Sequence, residues 1–348
     1  MDRWWATMGG LVFAACSGGG TLEPPAVPLS TPNALCSAAQ PANCVPPKQV
    51  ERTLRSAPLE ILQTSDTPGG LQGAKVLTLK SGDWVFRAKW RPASSGDLLN
   101  EPRKELAAYA VNKLLAEDID MVVPPTAARC LPLAAYRAVV DDEAEPHPGT
   151  ECVLGYLSYW VPGATVVKDA HEEGLLVGGR GLVDIERIRS DWAYRISLSH
   201  LNLLTYAIHH ADAHAKQFIL VPGMRGVVVY SVDNSVAFRS IKNPMVVFRQ
   251  DWSQWLLPDI LASQVARMKD LGEEDFERLQ VVQELQLDDG VLIDVPSGAP
   301  IGDLGDSVRE QGDRVQVGLT EGEIDGVRNR IGDLLDRIED GDIRVGGF

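Results

Sequence analysis

The sequence predicts an α+β chain of two lobes sharing a cleft: a small β-rich lobe with one main helix over residues 51–160, and a larger, mostly helical lobe over residues 161–348. Three observations predict it. Between Ala74 and Trp90 two β-rich runs flank Ser81-Gly82-Asp83, the pattern of a hairpin. From Glu101 to Leu115 apolar residues return at helical spacing. After Pro162-Gly163 the pattern turns largely helical.

A chain of 348 residues with 45% hydrophobic content is long enough for one large domain or for two lobes. Its formal charge of -15, from 48 acidic and 33 basic side chains, repels polyanions and argues against nucleic acid as a partner.

The N-terminus, M-D-R-W-W-A-T-M-G-G-L-V-F-A-A-C, holds an apolar run too short for a bilayer span but suited to the core of a secretion signal. Phe13-Ala14-Ala15-Cys16 resembles the bacterial lipoprotein signal, with Phe13 in place of the usual leucine. That resemblance implies removal of residues 1–15 and anchoring of a lipidated Cys16 to a membrane of the cell envelope, the outer membrane or its periplasmic face. The alternative is a buried helix or a frayed end. Residues 16–50, rich in Gly, Pro, Ser and Ala, read as a flexible linker. The other cysteines are Cys36, Cys44, Cys130 and Cys152. Proximity pairs Cys36 with Cys44 and elimination leaves Cys130 with Cys152, while four free thiols are the alternative.

Thr67 to Gly73 is a glycine-rich turn, and a phosphate could lie beneath Gly69, Gly70 and Gly73. Such turns more often only close hairpins, and G-x-x-x-x-G-K-[ST] is absent. The following helix has Pro102 in its first turn and Leu106, Ala107, Ala110, Val111, Leu114 and Leu115 on the face expected to pack on the sheet. Val122-Val123-Pro124-Pro125 stops it and leads to short strands around Cys130–Val140 and Cys152–Trp160. In the second lobe Ile196–His209 reads as helix, Val227–Val232 as a buried strand and Trp252–Leu285 as mostly helix. Thr320 and Glu323 form a capping box before a helix with core positions Ile324, Val327, Ile331, Leu334, Leu335 and Ile338.

The chemistry concentrates between Ile208 and Asp233. There I-H-H-A-D-A-H-A-K-Q places Asp212, His214, Lys216 and Gln217 on one loop, and V-V-V-Y-S-V-D-N brings Asp233 to the end of the next strand. This is the layout of a phosphotransfer site, with one carboxylate for the attacking hydroxyl and oxygens for a divalent metal. His214 and Lys216 could donate to the transferred phosphoryl group, or be a core histidine and a surface charge. Upstream, V-F-R-A-K-W-R-P offers Lys89 on a strand, and K-E-L-A-A-Y-A offers Glu105 on the next helix. Each alone reads as an ordinary surface charge, but their order and spacing match a phosphate-binding lysine with its partner.

On these residues the chain resembles the atypical kinases that group secretory-pathway (Golgi casein kinase type) kinases with HipA-like kinases. K-E-L-A-A-Y-A-V-N-K-L-L followed by V-V-P-P-T is similar to the secretory kinases' helix, Asp212-Ala213-His214-Ala215-Lys216-Gln217 to the HipA-like D-x-H-x-K-N loop, and Val232-Asp233-Asn234 to the secretory kinases' metal loop. The resemblance covers about residues 55–340. It implies a two-lobed protein-kinase-like fold, ATP with Mg²⁺ or Mn²⁺ as cofactors, and a protein Ser/Thr or glycan hydroxyl as acceptor. It further implies Asp212 as base, Gln217 and Asp233 as metal ligands, and Lys89 on phosphate with Glu105 as its partner. Gln217 stands where HipA-like kinases have Asn, and Ser235 where a glycine commonly follows the metal pair. An enzyme weakened at Gln217 would be a nucleotide-binding or nucleotidyl-transferring pseudokinase. A rival reading is a metal-dependent hydrolase using His209, His210, Asp212 and His214, similar to the H-x-H-x-D-H loop of binuclear metallohydrolases but with the wrong spacing.

Overall fold

The computed structural model describes residues 27–30, 34–41, 43–67, 73–95, 100–176, 182–211, 213–238, 259–304 and 307–346. The signal segment 1–15, Cys16, Gly69, Gly70 and Asp212 lie outside the described residues. The fold is α+β with several antiparallel sheets.

The first half begins with α1 (Pro47–Ser56), followed by β1 (Glu60–Asp66), β2 (Lys75–Ser81) and β3 (Trp84–Pro92). The expected hairpin is β2–β3, with Lys89 paired to Val76 and Ser81 to Trp84. Helix α2 (Arg103–Leu115), β4 (Thr126–Pro132), α3 (Leu133–Val139) and β5 (Cys152–Tyr159) complete it. The five strands form one antiparallel sheet in the order β1-β2-β3-β5-β4.

Two sequence expectations fail here for identifiable reasons. The strand read over Cys130–Val140 ends at Pro132, and helix α3 takes its place. Ala134, Ala135 and Ala138 favour helix, and the buried Tyr136 faces the sheet, its hydroxyl accepting from Trp90 Nε1 at 3.1 Å. The segment read as linker is folded from residue 34 onward. Leu35 bridges Val45, the Cys36–Cys44 disulfide closes the loop, and Leu35, Ala39 and Val45 are buried in the core under the five-stranded sheet. Three apolar anchors among prolines carry too little periodicity to be read from sequence. Both disulfides are the neighbouring pairs, Cys36–Cys44 and Cys130–Cys152.

The second half continues with β6 (Thr165–Val166), the short helices α4 (Val167–Ala170) and α5 (Ile185–Ser190), and the long α6 (Trp192–Ala207). A hairpin of β7 (Phe218–Gly223) and β8 (Gly226–Ser231) packs along α6. Then follow β9 (Asp259–Leu261), α7 (Ala262–Asp270), α8 (Glu273–Glu277), β10 (Gln283–Asp288), β11 (Val291–Val295), β12 (Arg309–Gln311), β13 (Arg314–Val317), α9 (Glu321–Glu339) and β14 (Arg344–Gly346). A mostly helical second half is therefore not what forms. β10–β13 make a four-stranded antiparallel sheet whose hairpins turn at Asp289-Gly290 and Gly312, all three with positive φ. Asp-Gly is a strong hairpin signal that the helical reading passed over. This sheet packs its Leu285, Leu292, Val315 and Val317 against Ala128, Cys130, Leu154 and Tyr156 of β4 and β5. Among the described residues no helix is long and apolar enough to cross a membrane.

Helix α2 departs most from its expected single apolar face. It is buried around nearly its whole circumference, with Leu106 in one core and Ala107 to Leu115 in another. Its polar residues must therefore be paired. Asn112 Oδ1 accepts from the backbone N–H groups of Val122 and Val123, at 2.8 and 2.9 Å, which fixes the Val-Pro-Pro stop. At the other end Arg103 and Lys104 are buried against Glu101 and Glu323; Glu323 lies 3.0 Å from Arg103 and 3.3 Å from Lys104. Glu323 also completes the predicted capping box of α9, accepting from Thr320 N–H at 2.9 Å while Thr320 Oγ1 accepts from Glu323 N–H. Glu323→Ala should leave two buried cations sharing one carboxylate and lower stability by about 3 kcal/mol. Urea denaturation would read this as a lower midpoint at unchanged slope.

Candidate functional site

Alternation along β3 builds the site. Phe86, Ala88 and Trp90 are fully buried in the core on one face, so Arg87, Lys89 and Arg91 share the other. On that face the Lys89 ammonium contacts two carboxylates, Glu105 Oε1 at 3.3 Å and Asp233 Oδ1 at 3.0 Å. Glu105 comes from the first turn of α2 and its second oxygen accepts the Asn234 backbone N–H at 2.9 Å. One side chain thus joins the sheet, the central helix and the segment that follows β8.

Asp233 adopts the left-handed region at φ 59°, ψ 50°, a conformation that favours glycine and holds here because its neighbours are pinned. Asn234 Oδ1 accepts from Ser231 Oγ at 2.7 Å. Ser235 is fully buried, donates to Asp233 Oδ1 at 3.3 Å, accepts from Arg91 Nη1 at 3.1 Å, and its carbonyl accepts from Glu101 N–H at 2.9 Å. A glycine at this position would lose both side-chain contacts. Arg91 is the member of the site that sequence reasoning missed, while Ser235, noted there only as a departure from glycine, turns out to bind both Asp233 and Arg91. The signal for Arg91 was its place two residues past Lys89 on one strand.

Gln217 immediately precedes β7, and its carbonyl accepts from Val232 N–H at 2.9 Å, one step beyond the Phe218–Ser231 pair. The hairpin therefore brings Gln217 and Asp233 to the same open end. His214 turns its Nδ1 to accept the Lys216 backbone N–H at 3.1 Å, and the Lys216 side chain is exposed. Gly73 has φ 72° and open space around its Cβ position, so it serves backbone conformation rather than close approach.

His209 and His210 are buried at the end of α6, His209 with a positive φ. Burial pushes the His210 pKa down to about 4, with His214 and His209 adding to the effect against Asp233. It is a neutral imidazole, edge-on to Phe218 at 6.2 Å between ring centres. Among the described residues no three His, Cys, Asp or Glu side chains gather in a metal-binding group, so the histidine-cluster reading gains no support from them.

Burial is the largest single influence on Lys89 and favours the neutral amine, but Glu105 and Asp233 together outweigh it and hold its pKa above the ordinary lysine value. Burial would lift Asp233, yet Lys89, by charge and hydrogen bond, and Arg91, by charge, hold it well below the usual carboxylate range. No protein-family model matches the chain, and no curated protein matches it.

The two shifts fix a pH window. A depressed Asp233 contributes stability above about pH 4 that is lost on acidification, and a raised Lys89 contributes stability below about pH 10.4 that is lost above it. In Lys89→Met the two carboxylates face each other without the ammonium, and one takes up a proton in the folded state. The unfolding free energy of this variant, measured by denaturant titration, should rise as pH falls from 7 to 5 by about 1 kcal/mol relative to the wild type.

Proposed function

We propose that the protein is a phosphotransferase, moving the γ-phosphoryl group of ATP to a hydroxyl of a protein Ser/Thr side chain or a glycan. The observation that carries this reading is the Lys89 ammonium held jointly by Glu105 of α2 and Asp233 at the end of β8. A lysine fixed by a helix carboxylate beside a metal-type aspartate is the arrangement that cradles nucleotide phosphates. The α+β architecture is then best understood as a kinase-like fold of two lobes, with the face of β3 that carries Lys89 forming one wall of the cleft.

The donor set suits a hard divalent cation. Asp233 has a side chain 39% exposed, and Gln217, with an amide oxygen, lies at the same hairpin end. Mg²⁺ or Mn²⁺ held by Asp233 and Gln217 would supply neutralisation of the phosphate charge. Lys89 would hold the phosphates while Glu105 keeps its ammonium charged and aimed. In transfer the acceptor oxygen forms the new P–O bond as the bond to the β-phosphate oxygen breaks, and the acceptor's proton passes to a base. Asp212 takes that role in this reading by the D-x-H-x-K-N likeness of its loop, with His214 and Lys216 flanking it. A lipidated Cys16 would place the activity at the surface of an envelope membrane.

The test is transfer from γ-labelled ATP with Mg²⁺ or Mn²⁺ to protein and glycan acceptors. Asp212→Ala and Asp233→Ala should each lower the rate at least about 100-fold. Wild-type rates in either variant would overturn the mechanism.

A further inference from the structure

Two carboxylate oxygens from different elements converge on one positive centre. The Lys89 ammonium nitrogen lies 3.0 Å from Asp233 Oδ1 and 3.3 Å from Glu105 Oε1. Asp233 Oδ1 also accepts from the Ser235 hydroxyl at 3.3 Å. A carboxylate oxygen offers about two lone-pair sites, so those of Oδ1 are met from within the chain. A divalent ion arriving at the other oxygen, Oδ2, would stand beside the ammonium and be repelled by it.

Charge carries the argument further. The charged groups that act most on this centre are Lys89 and Arg91 on one side and Glu105 and Asp233 on the other. Two cations thus offset two anions, in a setting where the side chains of Lys89 and Glu105 are only 18% and 7% exposed. A divalent ion added alone sets positive charge against the ammonium, and phosphates added alone set negative charge against Asp233. Added together, the two offset each other. The geometry also tells which contact yields. Glu105 is the more buried carboxylate and its second oxygen is committed to the Asn234 N–H, whereas the Asp233 side chain is open to solvent. A phosphate oxygen can therefore draw the ammonium off Asp233 while Glu105 keeps its hold.

We propose that Lys89 is a built-in surrogate cation: it occupies the metal position at Asp233 until nucleotide phosphates take over the ammonium, so that divalent cation and nucleotide each strengthen the binding of the other. This inference rests on the phosphotransfer reading and adds a gate to its metal site. The coupling is reciprocal, since a metal that gains affinity from the nucleotide returns the same factor to it. Removing the ammonium should open the gate. In Lys89→Met, Glu105 Oε1 and Asp233 Oδ1 face one point without a cation, and each has to close by about 1 Å to coordinate Mn²⁺ there. The ion would displace the proton that one of them otherwise takes up.

Calorimetric titration of the full chain with Mn²⁺ alone, with the metal-free β,γ-imido analogue of ATP, and with their complex tests the proposal. The wild type should bind the complex at least about tenfold more tightly than either component. Mn²⁺ alone should bind Lys89→Met at least about tenfold more tightly than the wild type, and Lys89→Arg, which keeps the charge, no more tightly than the wild type. Thermal unfolding of each variant reports whether the fold survives. A wild type that binds either component as tightly as the complex overturns the gate and leaves phosphotransfer standing. So does a folded Lys89→Met that gains no affinity for Mn²⁺, or a folded Lys89→Arg that gains as much as Lys89→Met. A wild type that binds neither the complex nor the nucleotide overturns both.

Discussion

The structure turns on the Glu105 carboxylate. One of its oxygens holds the Lys89 ammonium and the other holds the Asn234 backbone N–H. A single rigid group therefore sets the distance between a strand of the five-stranded sheet and the segment that leaves the β7–β8 hairpin. Because Glu105 is almost fully buried, its negative charge is tolerable only while both contacts persist, which makes the arrangement close to all-or-none. Against a burial that lowers the Lys89 pKa, the same carboxylate and Asp233 hold it above the ordinary lysine value.

That constraint explains why α2 is buried along nearly its entire length. A helix exposed on one side could tilt and carry Glu105 away from Asn234. Here its N-terminal turn is locked by Arg103 and Lys104 onto Glu101 and Glu323, and its C-terminal end by Asn112 onto Val122 and Val123. Glu101 in turn donates its N–H to the Ser235 carbonyl, so the residues flanking Glu105 and those flanking Asp233 are tied twice. The left-handed conformation of Asp233 is held within this frame.

How much of this was legible in the sequence depends on the range of the signal. The β2–β3 hairpin, the helix from Arg103, the capping box at Thr320 and Glu323, and the pairing of Lys89 with Glu105 all follow from local patterns or from residue order. The all-round burial of α2 does not, because a helix start of Arg103, Lys104 and Glu105 carries no local sign of burial; Glu323, far along the chain, pairs with Arg103 and Lys104, while Lys89 and the Asn234 N–H meet Glu105. The four-stranded sheet was hidden by apolar runs that fit either period, although Asp289-Gly290 marked its first turn. Arg91 escaped notice because it belongs to no motif, and Ser235 stood out only as a departure from glycine; the fold gives them each other as partners, with Asn100 for Arg91 and Asp233 for Ser235.

The folded segment before α1 adds a brace on the opposite side of the hairpin. Ala39 is fully buried, its carbonyl accepts the Arg225 N–H at 3.1 Å, and Gln40 Nε2 donates to the Pro222 carbonyl at 3.2 Å, while Ala38 N–H reaches the Ile119 carbonyl at 3.1 Å. The turn of the β7–β8 hairpin is thus fixed to the loop closed by Cys36–Cys44, and its open end to Glu105. Beyond the hairpin itself the sheet has, among the described residues, only the two-residue β6, which pairs with β7. Held at both ends, the hairpin becomes a rigid arm, and the positions of Gln217 and Asp233 at its open end follow from the register of β7 and β8 rather than from the freedom of a loop. Rigid elements present ligands more accurately than loops do, so the brace gives the N-terminal segment a part in shaping the site.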